Sequence, residues 1–309
     1  MNIPILQPPA LKKGDTVAVI APAGPIKSRE ALNRSIAILE HLGFRVHFEE
    51  RIFQSTRYLA GADRSRSEEL MQAFEDDSIN AVIGLRGGYG CSRLIPYLKK
   101  KRIGKNPKIF MGFSDLTTLH LYFNFQLGWM TFHGPMMLNP GIGSHPSEQQ
   151  SHLFALWTDP GYKPVFSFDR LQGWNPGRAE GRLVGGCLSN LVAGIGTSCE
   201  IDTEGAVLFL EEVGEFPYRL DRMLTQLDQS KKLKSVAGII LGNFLECEQP
   251  KSEYSAMDVL KDILRPYPFP VLANFPAGHG PDNWAIPFGT RVRLDADTPS
   301  VSFLEAAVR

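Results

Sequence analysis

The chain has 309 residues, 43% of them hydrophobic, and its 33 Lys and Arg are matched by 33 Asp and Glu. Zero net charge argues against nucleic acid as the main partner, because phosphate binding needs a basic surface. No run reaches the roughly 18–20 apolar residues that cross a bilayer. The start, "MNIPILQPPALKKGD", lacks a basic segment followed by an apolar stretch, which predicts a soluble protein of the reducing cytoplasm. Cys91, Cys187, Cys199 and Cys247 form no CxxC pair and no zinc spacing, so they read as small buried apolar residues.

Strand and helix patterns alternate through the first half. "TVAVIA" (16–21) is a β-branched run, and "SREALNRSIAILEHLG" (28–43) starts on a cap, carries Leu32, Ile36, Ile38 and Leu39, and stops at Gly43. Residues 45–50 predict a strand, 63–76 a helix, 79–88 a buried strand running into glycines, 92–98 a helix, 107–113 a strand and 116–127 a helix. Such alternation predicts βαβ crossovers and a largely parallel, doubly wound sheet. Residues 139–180 are rich in Gly, Pro, Ser and Trp; they read as a linker with local structure near 148–157. A second, smaller α/β unit follows: a turn and short helix in "VGGCLSNLVAGIGT", strands at 205–212, 236–244 and 269–276, helices at 218–230 and 256–267, and closing strands at 290–295 and 300–304. The expected domains are therefore 1–140, a linker 141–180, and 181–309.

In open α/β sheets ligands bind beyond the carboxyl ends of the strands. The residues there are "RGGYG" (86–90), Ser114 and Asp115, Glu211 and Glu212, and "PAGHG" with His279. A Ser, a carboxylate and a His are the parts of an acyl-transfer site: His takes the serine proton, and the acid fixes the imidazole tautomer. The backbone N–H of Asp115 and one from "RGGYG" are candidate oxyanion donors. Each residue also has a plainer role open to it. Ser114 reads equally as a helix N-cap, His279 as a turn residue, "RGGYG" as a tight turn, and the two glutamates as a solvated strand end. His133 in "TFHGP" is the rival base, while His120 reads as packing.

Taken together, "GDTVAVIAPAGP", "LRGGYGCSRLIPYL", "GFSDLTTLH", "TFHGPM", "GGCLSNLVAGIGT", "LFLEEVGEFPYRLDRML", "GIILGNF" and "FPAGHGPDNWAIPFG" resemble the LD-carboxypeptidase family, the muramoyltetrapeptide carboxypeptidases, which also contains the microcin C immunity peptidases. The resemblance runs in order over almost the whole chain. It implies Ser114 as nucleophile, His279 as base and Glu211 as acid, with Glu212 as the alternative; adjacent strand residues face opposite ways, so only one can reach the His. It also implies backbone oxyanion donors at Gly88 and Asp115, release of a terminal D-alanine from a cytoplasmic murein tetrapeptide, and a homodimer. No metal or organic cofactor is called for. Arg86 is the candidate grip on the substrate carboxylate, or else part of a structural ion pair. Arg219 and Arg222, at i and i+3, could line the site. The alternatives are a peptidase for aminoacyl nucleotides, with Trp174 or Trp284 as a base platform, and a non-catalytic two-domain binding module.

Overall fold

The computed structural model describes residues 4–104, 106–138, 147–251 and 253–309. The chain folds as two compact units, one of Met1–Gly161, Trp284–Pro287 and Ala307–Arg309, the other of Tyr162–Asn283 and Phe288–Ala306.

The first unit is built on β1 (Thr16–Ile20), β2 (Arg45–His47), β3 (Ile79–Gly84), β4 (Ile109–Gly112) and β5 (Thr131–His133), joined by a late strand, β12 (Ile286–Phe288), in the order β12-β5-β4-β3-β1-β2. The pairs from β2 through β5 are all parallel. Strand order reverses between β1 and β3, so the loops leaving their carboxyl ends flank the topological switch point. Helices α1 (Arg29–His41) and α2 (Asp63–Glu75) supply the crossovers. Ser28 caps α1 by accepting from Ala31 N, as expected. Its buried stripe is Leu32, Ser35 and Leu39 rather than the isoleucines. Ser35 is tolerated there because its hydroxyl donates to Met137 O at 2.5 Å. In α2, polar Arg66, Ser67 and Glu69 are buried beside Leu70, Met71 and Phe74.

Two helix expectations need correction. Residues 92–98 form two separate 3₁₀ turns, Cys91–Arg93 and Ile95–Tyr97, because Pro96 supplies no N–H to an α-helical ladder. After the short α3 (Lys100–Ile103), the run from 114 to 127 is a 3₁₀ turn, then α4 (Thr117–Leu121), then a π-type turn, Tyr122–Leu127, ended by Gly128 at φ 70°.

The stretch read as a linker holds α5 (Ser147–Thr158), β6 (Val165–Phe166), β7 (Gln172–Asn175) and the start of β8 (Arg178–Cys187); its residues 139–146 lie outside the described residues. "VGGC" closes β8 as strand rather than turn, and α6 (Leu188–Ala193) follows at once. The second unit continues through β9 (Val207–Val213), α7 (Pro217–Gln229), β10 (Gly238–Leu245), α8 (Ala256–Leu264), β11 (Val271–Ala273), β13 (Arg291–Asp295) and β14 (Ser300–Phe303). Its eight strands are ordered β6-β14-β13-β8-β9-β10-β11-β7. The middle four are parallel and the flanking pairs antiparallel. The apolar runs of β9 and β10 are buried, as strands inside a parallel block must be. All four cysteines are buried free thiols, and no described helix is long and apolar enough to cross a membrane.

Candidate active site

In the first unit, β4 ends at Gly112 and the chain turns into helix through Ser114. Phe113 is the cap position, and no side chain makes a cap hydrogen bond there, so Ser114 is not an N-cap. Its backbone has φ +61°, a left-handed conformation uncommon for a non-glycine residue and characteristic of a strained strand-to-helix elbow. Leu116 makes the elbow compact. A Cβ on either Gly84 or Gly112 would stand 2.3 Å from its Cδ2, so a side chain at either strand end would require Leu116 to shift. We expect Gly112→Ala to lower stability by about 1–3 kcal/mol in a denaturant titration; an unchanged midpoint would mean that Leu116 simply swings aside.

The loop after β3 closes on the same serine. A Cβ on Gly87 would lie 2.9 Å from both Cβ and Oγ of Ser114. Gly88 and Gly90 have φ of +118° and +138°. Gly88 is exposed, and its N–H has no acceptor among the described residues. The carboxylate of Asp115 is buried and accepts from Cys91 N at 2.8 Å, pinning the far end of the loop; only the backbone N–H of this residue figured in the sequence reading. Arg86 Nη1 donates to Pro25 O at 3.4 Å. Among the described residues no carboxylate forms an ion pair with it.

His133 and His120 belong to the core of this unit. Both are 0% exposed. His133 sits edge-on to Phe113 at 5.9 Å. His120 Nε2 is 2.8 Å from Gly112 O, and burial lowers its pKa to about 4 against the pull of that hydrogen bond.

In the second unit, β9 carries the two glutamates to opposite faces. Glu211 Oε2 accepts from His279 Nδ1 at 2.7 Å and from His279 N at 3.0 Å. A carboxylate only accepts, so Nδ1 carries the proton and the basic lone pair lies on Nε2. Glu211 is 0% exposed, and its Oε1 has no hydrogen-bond partner among the described residues. Burial is the largest influence on His279 and acts downward, but the Glu211 hydrogen bond and the charges of Glu211 and Glu212 outweigh it, and the net shift is upward. Glu212 turns away, accepting from Ser189 N at 2.7 Å and Val213 N at 2.9 Å. Burial, despite these bonds, raises its pKa. The Cys187 thiol donates to it at 3.4 Å, and burial first, then both glutamates, push that thiol well up.

The loop carrying His279 is shaped around the acid. Gly278 has φ +99°, and a Cβ there would stand 2.5 Å from Glu211 Oε2. Its N–H donates to buried Asn283 Oδ1 at 2.9 Å, and Asn243 Nδ2 holds Asp282 O at 2.9 Å. Sequence reasoning missed both asparagines; "PDN" after "AGHG" looks like an ordinary turn. Arg219 and Arg222 are exposed on α7 and bracket Tyr218, their guanidinium carbons 5.8 and 5.5 Å from its ring. Lys261 lies over Trp174 at 5.7 Å, and Trp284 packs against His152 at 5.2 Å. Among the described residues no cluster of three or more His, Cys, Asp or Glu could hold a metal ion.

A serine on a left-handed elbow in the first unit and a His–carboxylate pair in the second are each of the kind found in serine hydrolases that work through a base and an orienting acid. Models of the LD-carboxypeptidase N-terminal and C-terminal domains match residues 17–134 and 180–294. The chain belongs to the LD-carboxypeptidase family of serine-type carboxypeptidases. Among its relatives, "Probable murein peptide carboxypeptidase" of Bacillus subtilis (strain 168) is 38% identical over 307 residues, 98% of this chain and 95% of that one. Murein tetrapeptide carboxypeptidase of Pseudomonas aeruginosa is 34% identical, covering 91% and 93%. The solved structure of MccF in complex with glutamyl sulfamoyl guanosine superposes with a TM-score of 0.91 at 22% identity, covering 98% of this chain and 100% of that one; at that identity the likeness concerns the fold.

Proposed function

We propose that this carboxypeptidase removes the terminal D-alanine from a murein tetrapeptide during peptidoglycan recycling in the cytoplasm, with Ser114, His279 and Glu211 as its triad. The observation that carries the mechanism is the 2.7 Å Glu211–His279 bond, which fixes the tautomer a general base needs. The names of the relatives supply the substrate class.

In this mechanism Nε2 of His279 takes the Ser114 proton as Oγ attacks the carbonyl before the terminal alanine. The oxyanion is held by the N–H groups of Gly88 and Asp115, each donor contributing about 3–4 kcal/mol to the transition state. The imidazolium, facing a buried carboxylate, then protonates the departing amine, leaving an acyl-enzyme. Water, deprotonated by the same imidazole, releases the shortened peptide. Arg86 grips the free carboxylate that distinguishes an exopeptidase substrate, for which its guanidinium is suited as a planar two-point donor. The working form in this reading is a homodimer; sedimentation at the monomer mass at working concentration would remove that part.

The test is mass spectrometry of murein tetrapeptide incubated with wild type and with Ser114→Ala. Loss of one alanine with the wild type alone is expected. An intact tetrapeptide, with turnover of an aminoacyl sulfamoyl nucleotide instead, would move the substrate to the nucleotide class.

A further inference from the structure

Helix α2 directs two charged side chains, Arg66 and Glu69, inward at the switch point. Arg66 is 0% exposed. Its Nη1 bonds Pro22 O, in the loop after β1, and Gly90 O at 3.1 Å, at the end of the loop after β3. Its Nη2 bonds Asp63 Oδ1 at 2.5 Å, and Asp63 is held in turn by Arg93 through Nε and Nη2 at 2.7–3.0 Å. Three residues along α2, Glu69 Oε2 accepts from Ala21 N at 3.0 Å and pairs with Arg51. The two loops also bond directly, Gly24 N to Gly87 O at 3.1 Å. A Cβ on Gly90 would stand 2.6 Å from Arg66 Nη1, so the loop is fitted to the guanidinium.

The 86–90 loop is thus tied at Gly87, at Gly90 and, through Asp115, at Cys91, while Gly88 and Tyr89 between these ties are exposed. Burying a guanidinium is costly, and apolar side chains usually fill such a space at no loss of stability. Here two cations share it: burial first, and Arg66's charge second, bring Arg51 down to about 10. What an apolar residue cannot do is join two backbone carbonyls on separate loops.

We infer that Arg66 is a positioning residue for the carboxypeptidase reaction, bridging the Pro22 and Gly90 carbonyls so that the Gly88 N–H is held at a fixed place beside Ser114. This rests on the oxyanion reading above. Lysine keeps the charge but offers a single compact donor group in place of a fork, so Arg66→Lys should leave the loop slack. A misplacement of about 1 Å in such a site costs roughly 10²-fold in rate.

The experiment measures kcat, KM, melting temperature and the rate at which a serine-reactive phosphonate labels Ser114, in wild type, Arg66→Lys and Asp63→Asn. Arg66→Lys should lose about 10²-fold in kcat and in labelling rate with KM within about twofold. The milder Asp63→Asn, at a partly exposed site, should lose about tenfold in both by loosening the guanidinium. A purely structural role would lower the melting temperature and leave kcat per folded molecule unchanged, which overturns the inference. If Arg66→Lys does not fold, Asp63→Asn decides by the same criterion. Wild type that is not labelled at Ser114 sinks the underlying mechanism; wild type labelled there, with variants labelled equally fast, sinks the positioning role alone.

Discussion

Ser114→Ala should reduce turnover by about 10⁴- to 10⁶-fold, the scale on which losing a triad nucleophile disables the whole set. The change removes one oxygen and adds nothing to the packing. Alanine carries the same Cβ that already stands at the close approach to Gly87, so the melting temperature should stay within a few degrees. Binding should survive, measured as Kd for the tetrapeptide, because the loop donors and Arg86 are untouched. A variant with a tenth or more of wild-type kcat would remove Ser114 from the chemistry. Retained function without turnover would favour a binding module.

Glu211→Gln should lower kcat by about 10⁴-fold, as expected when an amide that can present an N–H to Nδ1 replaces the carboxylate that sets the tautomer. The pH profile carries a second readout. In the proposed mechanism His279 must be neutral to take a proton, so activity should fall as pH drops through its pKa, which is raised above the ordinary 6.5 because Glu211 and Glu212 together outweigh burial. In the variant, burial and Glu212 remain while the charge bonded to the imidazole is gone, so the limb should move to lower pH. Glu212→Gln keeps the His279 bond and should retain most of the rate, with a smaller downward move of the limb. If Glu212→Gln proves the crippling change and Glu211→Gln is silent, the acid has been assigned to the wrong neighbour.

Much of this architecture was legible in the chain. β-branched runs and capped helices gave the parallel order of the first unit, since their periodicities are local properties. The late strand Ile286–Phe288 was not legible, because three residues carry no usable period and their pairing is set by tertiary context. Residues 139–180 misled by composition: Trp174 and its neighbours form the edge strand β7, where Gly173 approaches Ala296 so closely that a Cβ would meet its carbonyl oxygen at 2.0 Å. In the candidate site, Ser, Glu and His stood out because strand ends in such sheets face ligands. Arg66, Glu69 and the Asp115 carboxylate did not, because polar residues on a crossover helix or at a helix start normally meet water. Only the backbone groups brought near them by folding reveal what they hold.

The left-handed backbone at position 114 restricts which nucleophiles the fold can carry. Cysteine has the same unbranched Cβ and could stand there with sulfur in place of oxygen. Threonine, whose added γ-methyl crowds the backbone when φ is positive, would strain the turn. On the proposed mechanism this scaffold should accept a thiol in place of the primary alcohol, while main-chain handedness disfavours a secondary alcohol whatever its intrinsic reactivity.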